Sequence, residues 1–410
     1  MNDKNIKRQE FLSKMFKNYY NSAFNKNYCL KDINYREFGF FYWDLNKFVR
    51  HLGFSDLESL SNHVISKVPK HIYSSAARYK NPNASNMKLK SYIDCELIFD
   101  LDIDHFPTSC KDEHDKWICK KCHTTGSGIA PKICLSKNCN SNSFKEITWE
   151  CDKCMEIAKN EIFFIIEEFL SKDFGLNPKQ DLYIVFSGRR GYHIHIEKEC
   201  FRYLDTNARR EIVDYITGKG LVPSYHGFSL KAENKPNIFD NGWRGRIVRL
   251  ISRFLTNSGN EEVGKIIRKA TEIETIKKNL ILQLNSRDPS FSYPGIGEQT
   301  WINLIDAAIN KYGAKIDQPV TIDIHRLIRL PGSLHGKTGF LVKKLSLNEL
   351  EKFDPFTHAQ VFSGTKKIFV KDTPQFKIGN ETFGPLKNKQ VELPMSAAVF
   401  LLCRGLAYLS

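Results

Sequence analysis

The stretch FDLDID, residues 99–104, places Asp100, Asp102 and Asp104 at alternate positions among apolar residues. Successive side chains of a β-strand point to opposite faces, so the pattern predicts a strand with all three carboxylates on one face. Carboxylates this close repel one another, and burial penalises them unless a cation lies nearby. The apolar residues between them argue against the alternative, an exposed sheet edge. The sequence therefore predicts a packed strand whose acids face a cleft and suit divalent cations.

The composition of the whole chain is that of a folded, basic protein. Of its 410 residues, 41% are hydrophobic and 12% aromatic, which suits two or three domains with real cores. Lys and Arg number 61 against 46 for Asp and Glu, a net charge of +15 that favours nucleic acid as a partner. A basic surface kept for solubility is the alternative. Neither a signal peptide nor a membrane-spanning run is evident, so we expect an intracellular protein without a membrane partner.

A second block, SGRRGYHIHI at residues 187–196, follows the short apolar run DLYIVF. The order of strand, turn and strand predicts a β-hairpin. Its turn brings Ser187, Arg189 and Arg190 together between glycines, and guanidinium groups match phosphate oxygens bidentately. His193 falls on one face of the strand that follows. The block favours phosphate binding over the alternative, a surface hairpin with solvated arginines.

A third block, LIRLPGSLHGKTG at residues 327–339, surrounds a Pro-Gly turn. It carries Arg329, His335 and Lys337, three cationic or hydrogen-bond-donating groups. Two acids, Asp317 and Asp323, lie upstream. Taken together, these groups indicate the other half of an active site, whereas each one alone is typical of a solvated loop.

The three blocks, in this order, resemble the archaeo-eukaryotic DNA primase catalytic (small) subunit in its archaeal form. FDLD is similar to the metal-binding acidic strand of that family, SGRRGYH to its nucleotide-phosphate hairpin, and residues 317–339 to its third block. The segments at residues 36–40, 73–76 and 353–356 are also similar. The resemblance spans about residues 10–360 and is weakest over 205–290.

The resemblance implies roles for particular residues. Asp100 and Asp102 are expected to bind two catalytic Mg²⁺ or Mn²⁺ ions. The third acid of the family lies 18 residues before the histidine of the third block, at Asp317, with Asp323 as the competitor. Asp104 is then a rim or turn residue. The triphosphate of the incoming nucleotide is expected to contact Ser187, Arg189, Arg190 and His193 on one side and Arg329, His335 and Lys337 on the other; Arg36 and Glu37 are weaker candidates for the same cleft.

The resemblance also implies the architecture. We expect an α+β protein with the archaeo-eukaryotic primase (prim-pol) fold, in which mixed sheets flanked by helices include an RRM-like half. The expected division is a catalytic core of residues 1–104, 155–204 and 291–360, a zinc-binding insert at 105–154, a helical subdomain at 205–290 and a C-terminal segment at 361–410.

Seven of the 11 cysteines lie between Cys110 and Cys154, in a stretch too poor in apolar residues to form a core. Such clustering in a reducing compartment indicates metal binding, not disulfides. The spacing of Cys119, Cys122, Cys134 and Cys139 is typical of a zinc ribbon. The family resemblance adds a zinc knuckle that ends at Cys151 and Cys154, just before a helix, with Cys110 and His114 as the best partners.

Two structural zinc ions are therefore predicted, with the ribbon nested inside the knuckle. Four protein ligands leave no open position for water, so neither zinc is expected to be catalytic. His105 and His123 are alternative ligands, and the two sets could exchange members. A single zinc with spare cysteines is the simpler alternative.

The resemblance implies a primase catalytic subunit that makes short RNA primers, or also DNA primers, on single-stranded DNA. Its expected partners are nucleoside triphosphates, a primase large subunit and the replication machinery. Two alternatives remain: a repair or end-joining polymerase of the same superfamily, and a non-catalytic zinc-ribbon protein that binds nucleic acid. A metal-dependent nuclease would have no need of the cationic groups.

Overall fold

The computed structural model describes residues 3–28, 30–45, 47–106, 108–229, 233–268, 272–287, 289 and 291–410, apart from the side chain of His105. These residues form a mixed α+β structure with several sheets. They divide into two compact units, one of residues 1–162, 179–206 and 317–410, and one of 163–178 and 207–316. His105, the alternative zinc ligand, thus lies outside the described side chains.

The strands are numbered in chain order. They are β1 (Phe38–Phe41), β2 (Val49–Leu52), β3 (His71–Ser75), β4 (Ala77–Tyr79), β5 (Tyr92–Cys95), β6 (Leu97–Asp102), β7 (Lys116–Cys119), β8 (Thr125–Ser127), β9 (Phe144–Ile147), β10 (Leu182–Phe186), β11 (Gly191–Ile196), β12 (Leu327–Arg329), β13 (Lys343–Leu345), β14 (Thr365–Thr373), β15 (Phe376–Ile378), β16 (Glu381–Phe383), β17 (Leu386–Pro394) and β18 (Ala407–Leu409).

The α-helices are numbered in the same way. They are α1 (Asp3–Asn27), α2 (Leu57–Lys67), α3 (Cys110–His114), α4 (Asp152–Ile165), α5 (Thr206–Thr217), α6 (Gly242–Asn257), α7 (Asn260–Ile267), α8 (Ile273–Leu284), α9 (Glu298–Tyr312), α10 (Gln318–Ile322), α11 (Leu347–Lys352), α12 (Pro355–His358) and α13 (Met395–Cys403). Within the described residues, none of them has the length and apolar character needed to cross a membrane.

The acidic strand β6 pairs antiparallel with β11 in the sheet β13-β10-β11-β6. Phe99 and Leu101 are fully buried on one face, and the alternation of a strand places Asp100 and Asp102 on the other. The strand ends at Asp102, whose carboxylate accepts the backbone N–H of Asp104 at 3.0 Å. Asp104 itself lies in a 3₁₀ turn. Only two of the three aspartates therefore keep the strand alternation.

The predicted hairpin is present, since β10 and β11 pair antiparallel and both strands are buried along their whole length. The register sets His193 opposite Asp100 and Gly191 opposite Asp102. A Cβ atom at Gly191 would lie 2.5 Å from the carbonyl oxygen of Leu101. A glycine is needed there because β11 starts so close to the backbone of β6.

A second sheet, β12-β3-β1-β2, brings the third block to the same region. Strand β12 pairs with β3, which sets Arg329 opposite Tyr73. At the start of α10, the backbone N–H of Asp317 donates to the carbonyl of Asp100 at 2.8 Å. Two short contacts thus join segments that are more than 200 residues apart in the chain.

The helical unit contains most of the predicted helical subdomain. Its helix α9 buries Trp301, Leu304, Ile305 and Ala308, which recur at helical spacing and pack against α6 in the same unit. The sequence-based division placed residues 291–316 with the catalytic core. The apolar face of α9 instead places them in the helical unit, up to residue 316.

The C-terminal segment forms the sheet β17-β14-β18 and the buried helix α13. Phe400 of α13 stacks on Phe340, the residue after the third block, with ring centroids 5.6 Å apart, and meets Trp149 edge-on at 5.7 Å. Gly405, with φ of +74°, ends the helix and turns the chain into β18. The segment thus packs behind the third block and the end of the cysteine-rich insert.

Candidate active site and zinc sites

Three carboxylates come together beside the acidic strand. Burial, followed by repulsion from Asp102 and Asp317, raises the pKa of Asp100 to about 8. Burial, followed by repulsion from Asp104, also raises the pKa of Asp102. A cation placed among buried carboxylates that repel one another would stabilise their ionised form. Their position fits a cation-binding role.

The two candidates for the third acid have different surroundings. Asp317 precedes α10 and is bonded through its backbone to Asp100. Asp323 follows α10, and its carboxylate accepts the backbone N–H of His325 at 2.9 Å, which closes the turn that leads to β12. The structure therefore brings Asp317 to the acidic strand and uses Asp323 in a local turn.

The donor set fits hard divalent cations, because all three candidate ligands are carboxylates. Among the described residues, only the two cysteine-rich groups gather three or more ligand atoms within 4.8 Å of one another. The carboxylates are more widely spaced. Such spacing is expected of like charges, and a site that shares two ions about 3.5–4 Å apart spans more room than a zinc site.

The turn of the hairpin is docked on the third block through Gly188. Gly188 has φ of +83°, and a Cβ atom there would lie 2.6 Å from Cβ of His335. The hydroxyl of Thr338 donates to the carbonyl of Gly188 at 2.6 Å. The turn closes through the Ser187 N–H, which donates to Gly191 at 3.0 Å. The backbone of the hairpin turn is therefore held against side chains of the third block.

The two arginines of the turn have different partners. Arg189 Nε donates to Glu150 Oε1 at 2.9 Å, and the side chain stays partly exposed. Arg190 is 1% exposed and pairs with Asp104 at 3.0 Å and with Asp115 at 3.2 Å. Arg189 is thus free to offer its remaining N–H groups to a ligand, whereas Arg190 links the acidic turn to the cysteine-rich insert.

The third block contributes Arg329, His335 and Lys337. Arg329 lies over the ring of Tyr73 at 4.7 Å, and its Nη1 is 2.7 Å from Nδ1 of His71. Burial, then the charge of Arg329, holds the pKa of His335 well below its usual range, so the ring is neutral. Its Nδ1 accepts the Lys337 N–H at 3.2 Å, which leaves the proton on Nε2 as a donor.

The cations of the site repel one another. Burial, together with the guanidinium groups of Arg189 and Arg329, lowers the pKa of Lys337. Burial also lowers the pKa of Arg329, and Arg189 adds to the effect. Clustered cations with depressed pKa values are typical of a site that receives an anion. The anion expected on chemical grounds is a phosphate group, which forked donors match.

These groups line one cleft of about 200 Å³. The predicted residues in its wall are Asp100, Asp102, Ser187, Arg189, Arg190, His193, Arg329, His335 and Lys337. Asp317 is not part of that wall but adjoins it through Asp100. The cleft therefore unites the three blocks that lie far apart in the sequence.

The structure adds cleft residues that sequence reasoning did not select. Tyr73 and Arg326 also line the cleft, and His71 holds both Arg329 and the backbone N–H of Gly336, at 3.1 Å. The alternation of His71 and Tyr73 on β3 is a signal that could have indicated them. Sequence spacing could not connect β3 to the third block, because the two segments meet only through the pairing of β3 with β12 in the folded sheet.

Arg36 and Glu37 lie in buried ion pairs and are absent from the wall of the cleft as described. Arg36 donates to the carbonyls of Ser75 and Ala76, each at 2.9 Å, and pairs with Glu96. Glu37 is fully buried and accepts from Arg50 Nε at 2.8 Å. Both side chains tie the second sheet to its neighbours.

The four residues that the resemblance assigns to a zinc knuckle lie together. The ligand atoms of Cys110, His114, Cys151 and Cys154 all lie within 4.8 Å of one another. Cys154 Sγ is 3.3 Å from Cys110 Sγ and 3.6 Å from His114 Nε2. The other ring nitrogen of His114 lies 2.7 Å from the carboxylate of Asp115. A carboxylate behind the histidine is the usual means of orienting a zinc ligand.

The nested ribbon forms a second group of four. The sulfur atoms of Cys119, Cys122, Cys134 and Cys139 also lie within 4.8 Å of one another. Cys119 and Cys139 are 3.8 Å apart, and Cys122 and Cys134 are 3.5 Å apart. Zn–S bonds of about 2.3 Å in a tetrahedron give S–S separations of about 3.8 Å. His123 is not needed to complete either set.

Carboxylates opposite a group of cations in one cleft have the chemistry that a protein needs to bind divalent cations together with phosphate groups. A family model described as DNA primase small subunit matches residues 135–347, just over half of the chain. The match includes the hairpin and the third block, whereas the acidic strand precedes it.

Full-length relatives extend the comparison to the acidic strand. The DNA primase small subunit PriS of Nitrosopumilus maritimus is 30% identical and covers 99% of both chains. PriS of Methanothrix thermoacetophila is 33% identical over 98% of each chain, and PriS of Methanococcoides burtonii is 31% identical over 98% of each. The chain belongs to the DNA primase small subunit family.

Proposed function

We propose that this protein is the catalytic subunit of a DNA primase, a nucleotidyltransferase that synthesises short RNA primers, or also DNA primers, on single-stranded DNA. The observation that carries the proposal is the single cleft in which the acids of β6 face the cations of the hairpin and the third block. The fold we propose is the prim-pol fold, with the two central sheets as its core and the cysteine-rich region as its insert.

Asp100, Asp102 and Asp317 would hold two Mg²⁺ or Mn²⁺ ions. Such ions lower the pKa of an attacking 3′-hydroxyl and stabilise the charge on the leaving pyrophosphate. The two acids of β6 are fixed by the ladder to β11, and Asp317 is fixed by its backbone bond to Asp100. The donor set is thus oriented by the sheet and does not depend on a mobile loop.

The cations of the cleft would hold the triphosphate of the incoming nucleotide. Arg189 and Arg329 offer guanidinium forks, Lys337 offers an ammonium group, and neutral His335 offers Nε2–H. Preorganised donors of this kind stabilise charge that develops on phosphate oxygens. Ser187 and His193 lie on the hairpin side of the same cleft, and Arg190 would act mainly by fixing Asp104 at its rim.

The two cysteine-rich groups would each bind one structural zinc ion. The proposed partners are the single-stranded template, nucleoside triphosphates, a primase large subunit and the rest of the replication machinery inside the cell. The large subunit would assist initiation. The net charge of +15 supports binding to a polyanionic template.

A primer-synthesis assay tests the proposal. The purified chain, with and without a large subunit, is incubated with single-stranded DNA, nucleotides and Mg²⁺ or Mn²⁺, in the presence or absence of a primer. New strands made without a primer, and lost in Asp100→Asn, are expected. Extension only from a supplied primer would favour a repair polymerase. Template binding without any synthesis would favour a non-catalytic zinc-ribbon protein.

A further inference from the structure

Glu150 occupies a position between the insert and the C-terminal segment that the mechanism above does not use. Its side chain is fully buried, one residue before the zinc ligand Cys151. One carboxylate oxygen accepts from Arg189 Nε at 2.9 Å, and the other accepts from Nη1 of Arg404. Both oxygen atoms of this buried carboxylate are thus paired with guanidinium groups, which compensates its burial.

Arg404 is held in place by the end of α13. Its guanidinium group lies over the Trp149 ring at 4.4 Å and also donates to the carbonyl of Thr148. It is the C-cap residue of the helix and is followed by Gly405, which has a positive φ. Arg404 is therefore fixed by stacking, by a backbone carbonyl and by the ion pair with Glu150.

The contacts of Arg189 leave part of its guanidinium group available. Nε is bonded to Glu150, and Nη2 donates to the hydroxyl of Thr148. Nη1 lies 3.8 Å from Asp104, beyond hydrogen-bond distance. Three of the five N–H donors are thus left for a ligand, and the arginine lines the cleft. The orientation of the Arg189 guanidinium group is therefore set by Glu150, which lies outside the cleft wall as described.

We propose that Glu150 and Arg404 are positioning residues that hold the guanidinium group of Arg189 towards the triphosphate. The C-terminal segment would then be part of the nucleotide site, although it contributes no group to the cleft wall as described. The proposal rests on the assignment of Arg189 to triphosphate binding. An arginine that is fixed in advance loses less side-chain entropy when it binds phosphate, so nucleotide affinity depends on the two supporting residues.

The packing of α13 is consistent with this role. Phe400 stacks on Phe340, and Val399 meets the backbone of Gly339, where a Cβ atom would lie 2.7 Å from its side chain. Gly339 and Phe340 directly follow the loop that carries His335 and Lys337. One helix therefore supports the hairpin side of the site through Arg404 and the third block through its apolar face.

Binding of ATP in the presence of Mg²⁺, measured by equilibrium dialysis with the full chain, tests the proposal independently of synthesis. We expect Arg404→Ala and Glu150→Gln to weaken ATP binding about five- to tenfold. In primer synthesis, the same variants should raise KM for nucleotide with little change in kcat. Arg404→Lys, which keeps the charge but not the fork, should recover part of the affinity.

A control and a double-mutant cycle separate positioning from general destabilisation. Lys371→Ala removes another cation of the C-terminal segment, which contacts the carbonyl of Gly405 at 3.2 Å, and should leave ATP affinity unchanged. In an Arg189→Ala background, Arg404→Ala should have no further effect on ATP binding, because both act through one group. Zinc content should stay at the wild-type value in every variant.

Several outcomes would overturn the proposal. These are unchanged ATP affinity in Glu150→Gln, equal losses in Lys371→Ala and Arg404→Ala, and additive effects of Arg189→Ala and Arg404→Ala. If Arg404→Ala does not fold, Glu150→Gln and Arg404→Lys decide the question. A wild-type chain that binds ATP but makes no primers would instead count against the proposed function and leave the positioning test intact.

Discussion

His193 on β11 lies directly opposite Asp100 on β6, and its Nε2 is 3.5 Å from the carboxylate Oδ1. The second ring nitrogen, Nδ1, is buried and has no hydrogen-bond partner among the described residues. The pair shows that hairpin and acidic strand form one ladder, so the groups proposed for metal and for triphosphate are fixed relative to each other. A change in the charge of Asp100 is therefore expected to alter the electrostatics of the groups on both strands.

Asp100→Asn is expected to abolish primer synthesis and yet stabilise the metal-free fold. The substitution removes a buried carboxylate that Asp102 and Asp317 repel, a change that should contribute about 1 kcal/mol of stability. The measurement is the melting temperature in buffer depleted of Mg²⁺ without a strong chelator, because a chelator would also remove zinc. Added Mg²⁺ should raise the melting temperature of the wild type only. A variant that still responds to Mg²⁺ would show that Asp100 is not a ligand.

Asp317→Asn and Asp323→Asn form a matched pair that identifies the third acid. Asp317 adjoins Asp100, whereas the Asp323 carboxylate closes a turn by accepting the His325 N–H. We expect Asp317→Asn to reduce kcat at least about 100-fold, as loss of a metal ligand does. Asp323→Asn should retain most of the synthesis and lose about 1 kcal/mol of stability at most. The opposite ranking of the two kcat values would contradict the assignment.

Metal analysis of the purified chain is expected to give two zinc ions. The two groups of four ligands share no member. Cys119→Ser should therefore reduce the content to one zinc and leave the catalytic core folded, since the knuckle closes independently. Cys154→Ser should also leave one zinc, but with a larger loss of stability, because Cys154 is buried and precedes the core residues of α4. One zinc in the wild type would refute the nested arrangement.

Gly188→Ala is expected to destabilise the protein and weaken nucleotide binding. The position needs φ of +83°, and an added Cβ atom would meet Cβ of His335 at 2.6 Å. Gly175→Ala is the control, since Gly175 also has a positive φ, +63°, but open space around it. The backbone cost of about 1–2 kcal/mol applies to both. Chemical denaturation should show a further loss for Gly188→Ala, and only that variant should raise KM for nucleotide.

The contribution of His71 and His335 to the stability of the fold is expected to decrease as the pH falls below about 6.5. Burial, then nearby cations, lowers the pKa of His71 and of His335 well below the usual value of 6.5. Below pH 6.5 each ring stays neutral in the folded state, while the unfolded chain binds a proton. The contribution of each ring to the unfolding free energy is therefore fully present above pH 6.5 and decreases below it. The slope is about 1.4 kcal/mol per pH unit for each group.

Unfolding free energies measured between pH 5 and 8 check this expectation. His71→Gln should reduce the slope below pH 6.5 by about one proton. His358→Gln, at an exposed position, serves as the comparison. An unchanged slope in His71→Gln would show that the ring titrates alike in the folded and unfolded states.

Much of the site was predictable because the decisive patterns are local. The period of two in FDLDID identifies a strand, and the glycines around Arg189 and Arg190 identify a tight turn between strands. The structure confirms both elements as β6 and the β10–β11 hairpin. Cysteine spacing likewise indicates the group of Cys119, Cys122, Cys134 and Cys139, whereas the group of Cys110, His114, Cys151 and Cys154 was expected only from the family resemblance; both groups are present.

Other features were decided by packing between distant segments. Arg189 and Arg190 are neighbours in the same motif, but Arg189 is partly exposed and keeps three N–H donors for a ligand, whereas Arg190 is buried and paired with Asp104 and Asp115. The C-terminal segment carried no chemical signal, yet Arg404 reaches Glu150. The helix α9 belongs to the helical unit because its apolar face packs against α6.

The sequence by itself determined the chemistry of this protein: which strand carries the acids, which turn carries the arginines and where the cysteines cluster. These properties depend on side-chain alternation and on short spacing along the chain. Both are local and do not depend on how distant segments pack. Only the tertiary structure decided that Asp317, not Asp323, adjoins Asp100, and that Tyr73, His71 and Glu150 support the cleft. Sheet pairing and helix docking fix those contacts, and both depend on how apolar surfaces far apart in the chain are buried together.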